Sequence, residues 1–117
     1  MAGGISLHCV DISRGYAMTG LQVEVFRLNN SERILIAKGT TEKGSLIHPM
    51  VKGEGVTAGQ YEVVFHVADY YRSIDQNLSD PPFIDIVTYP FGLANEEEHY
   101  HLPMKMTPYG FSLFRGN

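Results

Sequence analysis

Gln60-Tyr-Glu-Val-Val-Phe-His-Val67 is the stretch whose reading decides the fold. Side chains alternate faces along an extended chain, so Tyr61, Val63, Phe65 and Val67 share one inner apolar face. Aromatic and β-branched residues are the ones that fit a pleated, half-buried surface. The same period of two recurs on both sides of this strand. Upstream it marks residues 5–11, 22–28 and 33–40, the last two joined as a hairpin through Asn29-Asn-Ser31. Downstream it marks residues 83–89 and a terminal pair, 99–106 and 111–117, connected by Thr107-Pro-Tyr-Gly110, whose Pro and Gly suit a tight turn. Ser13 to Gly20 reads as a loop. Residues 41–49 turn through Gly44 into a short strand or edge segment ending at Pro49, and residues 51–59 read as a glycine-rich loop or weak strand. Residues 68–77 suit two or three helical turns, stopped by Pro81-Pro82, and residues 92–98 read as a solvated acidic turn. Short strands recurring about every ten residues predict an all-β, antiparallel two-sheet sandwich with one short helix.

The chain has 117 residues and 44% hydrophobic content, which predicts a single domain over 1–117 with one core. A net charge of −4, with nine Lys and Arg and no basic run, argues against nucleic acid or an anionic membrane as partner. No apolar run approaches the ~20 residues that would span a bilayer. The lone Cys9 has no intrachain partner for a disulfide, and the first residues carry neither a basic region nor an apolar run, so a cytoplasmic location is expected.

The residues that carry chemistry cluster near the two ends of the sequence. Alternation along 99–106 puts His99 and His101 on one surface and turns Tyr100, Leu102, Met104 and Met106 towards the core. Arg115 offers a permanently charged fork of donors suited to a carboxylate or a developing oxyanion. In the first strand Ile5, Leu7 and Cys9 face the core and His8 lies opposite. Cys9 therefore cannot pair with His8 as a nucleophile within a regular strand, and reads as a core thiol. A metal site from His8, His99 and His101 lacks a completing ligand at fixed spacing, so no metal is expected there. His48 and His66 fall in no motif and read as surface residues.

Three stretches, taken in order, resemble the transthyretin-like 5-hydroxyisourate hydrolase family. They are Leu7-His-Cys-Val-Asp-Ile-Ser-Arg-Gly-Tyr-Ala-Met-Thr-Gly-Leu-Gln-Val-Glu-Val-Phe-Arg-Leu28; Thr57-Ala-Gly-Gln-Tyr-Glu-Val-Val-Phe65 followed by Pro81-Pro-Phe-Ile-Asp-Ile-Val87; and His99-Tyr-His-Leu-Pro-Met104 with Thr107-Pro-Tyr-Gly-Phe-Ser-Leu-Phe-Arg-Gly-Asn117. The resemblance implies two four-stranded sheets, a short helix after the fifth strand, and a homotetramer built as a dimer of dimers with active sites in the channel between them. It also implies a small-molecule substrate, 5-hydroxyisourate, whose ring is opened by water attack on a carbonyl with no metal or organic cofactor. On this resemblance His8, His101 and Arg115 are the catalytic residues.

The sequence departs from the family pattern at three places. Glu42-Lys-Gly-Ser45 puts Ser45 where the family has the arginine of an Asp-Gly-Arg stretch, and Phe114-Arg-Gly-Asn117 replaces a Tyr-Arg-Gly-Ser ending. Ser45, Phe114 and Asn117 are accordingly expected to touch substrate. A smaller, less polar edge there would suit a hydroxyisourate whose ring nitrogens carry methyl groups. The rival expectation is a transthyretin-like protein that binds a small molecule without catalysis.

Overall fold

The structure is a computed structural model that describes residues 3–74 and 76–116. Among the described residues eight strands form in chain order: β1 (Ile5–Asp11), β2 (Tyr16–Ala17), β3 (Gln22–Asn29), β4 (Glu32–Thr40), β5 (Gly59–His66), β6 (Ile86–Leu93), β7 (Tyr100–Thr107) and β8 (Gly110–Leu113). They make two four-stranded sheets, ordered β2-β1-β7-β8 and β4-β3-β5-β6. The inner faces meet in one core: Ile5, Leu7 and Cys9 from β1 and Leu102, Met104 and Met106 from β7 pack with Val23, Val25, Tyr61, Val63 and Phe65 of the other sheet. The alternation seen in the sequence is thus the alternation of burial. These strands pair antiparallel except β1 with β7, which run parallel in register from Ile5↔Tyr100 to Asp11↔Met106.

The one α-helix among the described residues, α1 (Val67–Ser73), follows β5 and begins at the expected last residue of that strand. It also fixes where β6 starts. The amides of Val67 and Ala68 both donate to the carbonyl of Asp85, at 3.1 and 3.0 Å, so that carbonyl caps the helix and the strand begins one residue later. The strand expected at 83–89 therefore lies at Ile86–Leu93. Pro90 sits inside it without cost, because β6 is an edge strand and can lose an amide donor. Tyr70 and Tyr71 bury the inner side of α1; burial and the nearby Asp11 carboxylate hold the Tyr71 phenol protonated well above its usual range.

Two connections differ from the sequence reading. The expected loop at 13–20 contains the two-residue strand β2, which lengthens the first sheet beside β1. The expected edge segment at 45–49 is instead irregular and leads into a 3₁₀ turn at Pro49–Lys52, where Pro49 opens the turn and His48 Nδ1 accepts the Met50 amide at 3.0 Å. Proline at the first position of a turn wastes no donor, whereas in a ladder it would.

Burial predicts which aromatic residues hold the fold. Phe65 is fully buried and Phe83 is 74% exposed, so in denaturant melts Phe65→Ala should lose about 3–5 kcal/mol. Phe83→Ala should stay within about 0.5 kcal/mol.

Candidate active site

β1 and β7 carry the candidate chemistry on the face opposite the core. Their parallel register sets Ser6 beside His101 and His8 beside Pro103. Two further segments extend these rungs. On the far side of β1, Ser45 bridges to His8, and on the far side of β7 the Phe114 amide donates to the Pro103 carbonyl at 3.4 Å. Phe114, Pro103, His8 and Ser45 therefore run across the sheet as one rung. The neighbouring rung is Gly116, His101 and Ser6, closed by the Gly116 amide donating to the His101 carbonyl at 2.7 Å.

The loop that brings Ser45 to His8 is a two-residue reversal with Lys43 and Gly44 at positive φ, 51° and 86°, the combination that matches the twist of paired strands. Glu42 and Ser45 exchange amide-carbonyl bonds of 2.8 and 3.1 Å across it. Gly44 is required there for space as well as for φ. A Cβ on it would stand 2.8 Å from the Cys9 carbonyl oxygen and 2.9 Å from His8 Nε2, so the bare backbone seats the His8 ring. The Cys9 amide meanwhile donates to the Gly44 carbonyl at 2.8 Å, stitching the loop to β1. Beside Ser45 opens a hollow of about 610 Å³, lined by Leu46, Ile47, Pro49 and Val51 among others.

His101 is half-buried at the centre of this face. Burial, and then the neighbouring His99 and His8, hold its pKa below the usual 6.5, so the ring stays neutral and basic near neutral pH. Ser6 Oγ lies 2.7 Å from His99 Nε2 and 2.8 Å from His101 Nδ1. His99 and Ser6 are the residues that sequence reasoning did not assign to the site. The signal for them was the period of two, which already put Ser6 on the face of His8; what was missing was the parallel pairing that sets Ser6 against His101.

Arg115, the third residue expected to be catalytic, is held apart from the two histidines within this chain. It stands between the two rungs, one residue from each of Phe114 and Gly116, and so points to the other side of the sheet. Its guanidinium lies 3.8 Å above the Tyr100 ring and donates to Glu98 Oε1 at 2.9 Å and to the His99 carbonyl at 3.4 Å. Within this chain it clamps the tail to the start of β7 and does not join His8 and His101. Phe114 is about half exposed, with Lys105 Nζ 5.9 Å from its ring. Asn117 lies outside the described residues. Cys9 is fully buried and its thiol is pushed up to about 12 by that burial, which removes it as a nucleophile. Among the described residues no group of three His, Cys, Asp or Glu side chains is placed to hold a metal ion. His48 caps the 3₁₀ turn, and His66 Nε2 bonds Glu24 Oε1 at 2.9 Å away from this face.

The architecture is a two-sheet β-sandwich that carries His8 and His101 on the outer face of β1 and β7. The sequence pattern of the HIUase/Transthyretin family matches residues 5–116, and the chain belongs to that family. It is 38% identical over 117 residues to 5-hydroxyisourate hydrolase 2 of Rhizobium meliloti, covering 99% of this chain and 98% of that protein. Among solved structures, (S)-allantoin synthase superposes with a TM-score of 0.90 at 31% identity over 98% of this chain, which spans only 44% of that longer protein. Sea bream transthyretin, solved with thyroxine, shares the fold at a TM-score of 0.82 and 20% identity, covering 96% of this chain and 93% of that one.

The depressed pKa of His101 makes a prediction with a definite sign. The unfolded chain takes up a proton at about 6.5 that the folded chain resists, so this group contributes no penalty above that pH and costs stability as the pH falls below it. An NMR titration should show His101 protonating below the usual histidine range, and His101→Gln should flatten the acid side of the stability profile.

Proposed function

We propose that this protein hydrolyses 5-hydroxyisourate or a close relative of it. The observation that carries the reading is the face on which His8 and a neutral His101 stand on neighbouring rungs, in a chain similar along its whole length to a 5-hydroxyisourate hydrolase. Water adds to a ring carbonyl carbon, the bond from that carbon to the ring nitrogen breaks, and the proton taken from water ends on the departing nitrogen. One imidazole takes the proton and the other positions substrate or passes the proton on. No metal or organic cofactor has a part in this scheme. The retained histidines favour catalysis over a purely ligand-binding role, since binding alone needs no base.

The oxyanion has fewer donors than in the family pattern. Ser45 stands opposite His8 where that pattern has an arginine, Lys43 sits at the reversal's tip, and Arg115 is engaged with Glu98. The apolar hollow beside Ser45 supports a substrate with methylated ring nitrogens, which offer hydrophobic surface in place of N–H groups. Phe114 and Asn117 belong to the same reading as substrate contacts. The assembly proposed is a homotetramer, a dimer of dimers with this face in the channel between dimers, working in the cytoplasm on a small molecule.

The test is the decay of 5-hydroxyisourate made in place from urate by urate oxidase, with and without the protein, and repeated with N-methylated urates. Accelerated decay supports the hydrolase, and acceleration confined to methylated substrates makes Ser45 a specificity residue. No acceleration with any of them would favour ligand binding. His101→Asn should abolish turnover while sedimentation still gives a tetramer; a monomeric wild type would remove the channel.

A further inference from the structure

His99 and Ser6 have no task in the scheme above, yet their bonds run in one direction only. His99 Nδ1 lies 3.0 Å from the Gly3 carbonyl oxygen, which can only accept, so that nitrogen carries the hydrogen. In the neutral ring Nε2 is then a bare lone pair, and the Ser6 hydroxyl, 2.7 Å away, donates to it. With its one proton so placed, Ser6 Oγ can only accept from His101 Nδ1, 2.8 Å away. His101 is left with Nε2 as its unprotonated nitrogen.

The geometry points to His99 and Ser6 as positioning residues: carbonyl, imidazole and hydroxyl in series hold His101 in its Nδ1–H tautomer and make Nε2 the base that takes the proton from water. The inference rests on the hydrolase reading for the task of that base, but the tautomer itself does not. Which ring nitrogen of a histidine is basic follows from the hydrogen bond made by the other, and here that bond is set by a backbone carbonyl two side chains away. The neutral state of His101, favoured by burial and by His99 and His8, keeps the relay in this setting. His99 itself is exposed, so its hold on the Gly3 carbonyl serves direction and not packing.

Three variants test the relay. Ser6→Ala removes its middle, His99→Asn keeps a group near Gly3 that is too short to reach Ser6, and His99→Gln restores an acceptor for the Ser6 hydroxyl. Long-range ¹H–¹⁵N spectra should show His101 as Nδ1–H in the wild type and His99→Gln, and as a mixture of tautomers in Ser6→Ala and His99→Asn. In the decay assay kcat should fall about 10–100-fold in the two disrupting variants, the range usual when a group orienting a working imidazole is lost. KM should change less, and His99→Gln should recover most of the rate. An Nε2–H tautomer in the wild type, or an unchanged tautomer and kcat in both disrupting variants, would overturn the relay. A wild type inactive on every hydroxyisourate would overturn the hydrolase reading instead, with the tautomer spectra still deciding the relay.

Discussion

The parallel pairing of β1 with β7 is the constraint on which the rest of this molecule depends. It joins residues 5–11 to residues 100–106, almost the full length of the chain apart. Parallel neighbours cannot be joined by a short turn, and here the crossover is the whole second sheet with its helix. Closing so long a loop carries an entropic cost that grows slowly with length, and the burial of Ile5, Leu7, Cys9, Leu102, Met104 and Met106 against the other sheet offsets it. The same seven rungs bring His8, Ser6 and His101 together on the outer face. Core and candidate site are therefore two sides of one pairing.

That sheet separates two kinds of chemistry. Its inner side is dry enough to hold the Cys9 thiol protonated, while its outer side leaves the histidines in partial contact with water. Half-burial is what a base near neutral pH needs. A fully buried imidazole without partners would resist protonation too strongly, and a fully exposed one would have no fixed tautomer or orientation. The stacking of Arg115 on Tyr100 serves the same face indirectly. By gripping Glu98 and the His99 carbonyl from the inner side, it steadies the segment that presents His99 and lets Gly116 lie along His101.

Local signals were read well where one side of an element met the core and the other met water. The strands at β1, β3, β4, β5 and β7, the terminal hairpin and the core position of Cys9 all follow from a period of two. The places that were misread are those where a distant group decides. β6 begins after Asp85 because the helix takes that carbonyl, and the expected edge segment is irregular from Ser45, which bridges to His8 instead.

By itself, then, the order of residues determined the sandwich, the two faces of each strand, and which imidazoles were available, because alternation and turn chemistry are local properties of a chain. Only the tertiary structure decided which histidine neighbours which. The parallel register, the seat that Gly44 makes for His8, and the directed chain from Gly3 through His99 and Ser6 to His101 all depend on contacts between residues far apart in sequence. Periodicity can say that Ser6 and His101 both face outward, but the hydrogen bond between them exists only because burial of the opposite face pairs the two strands in this register.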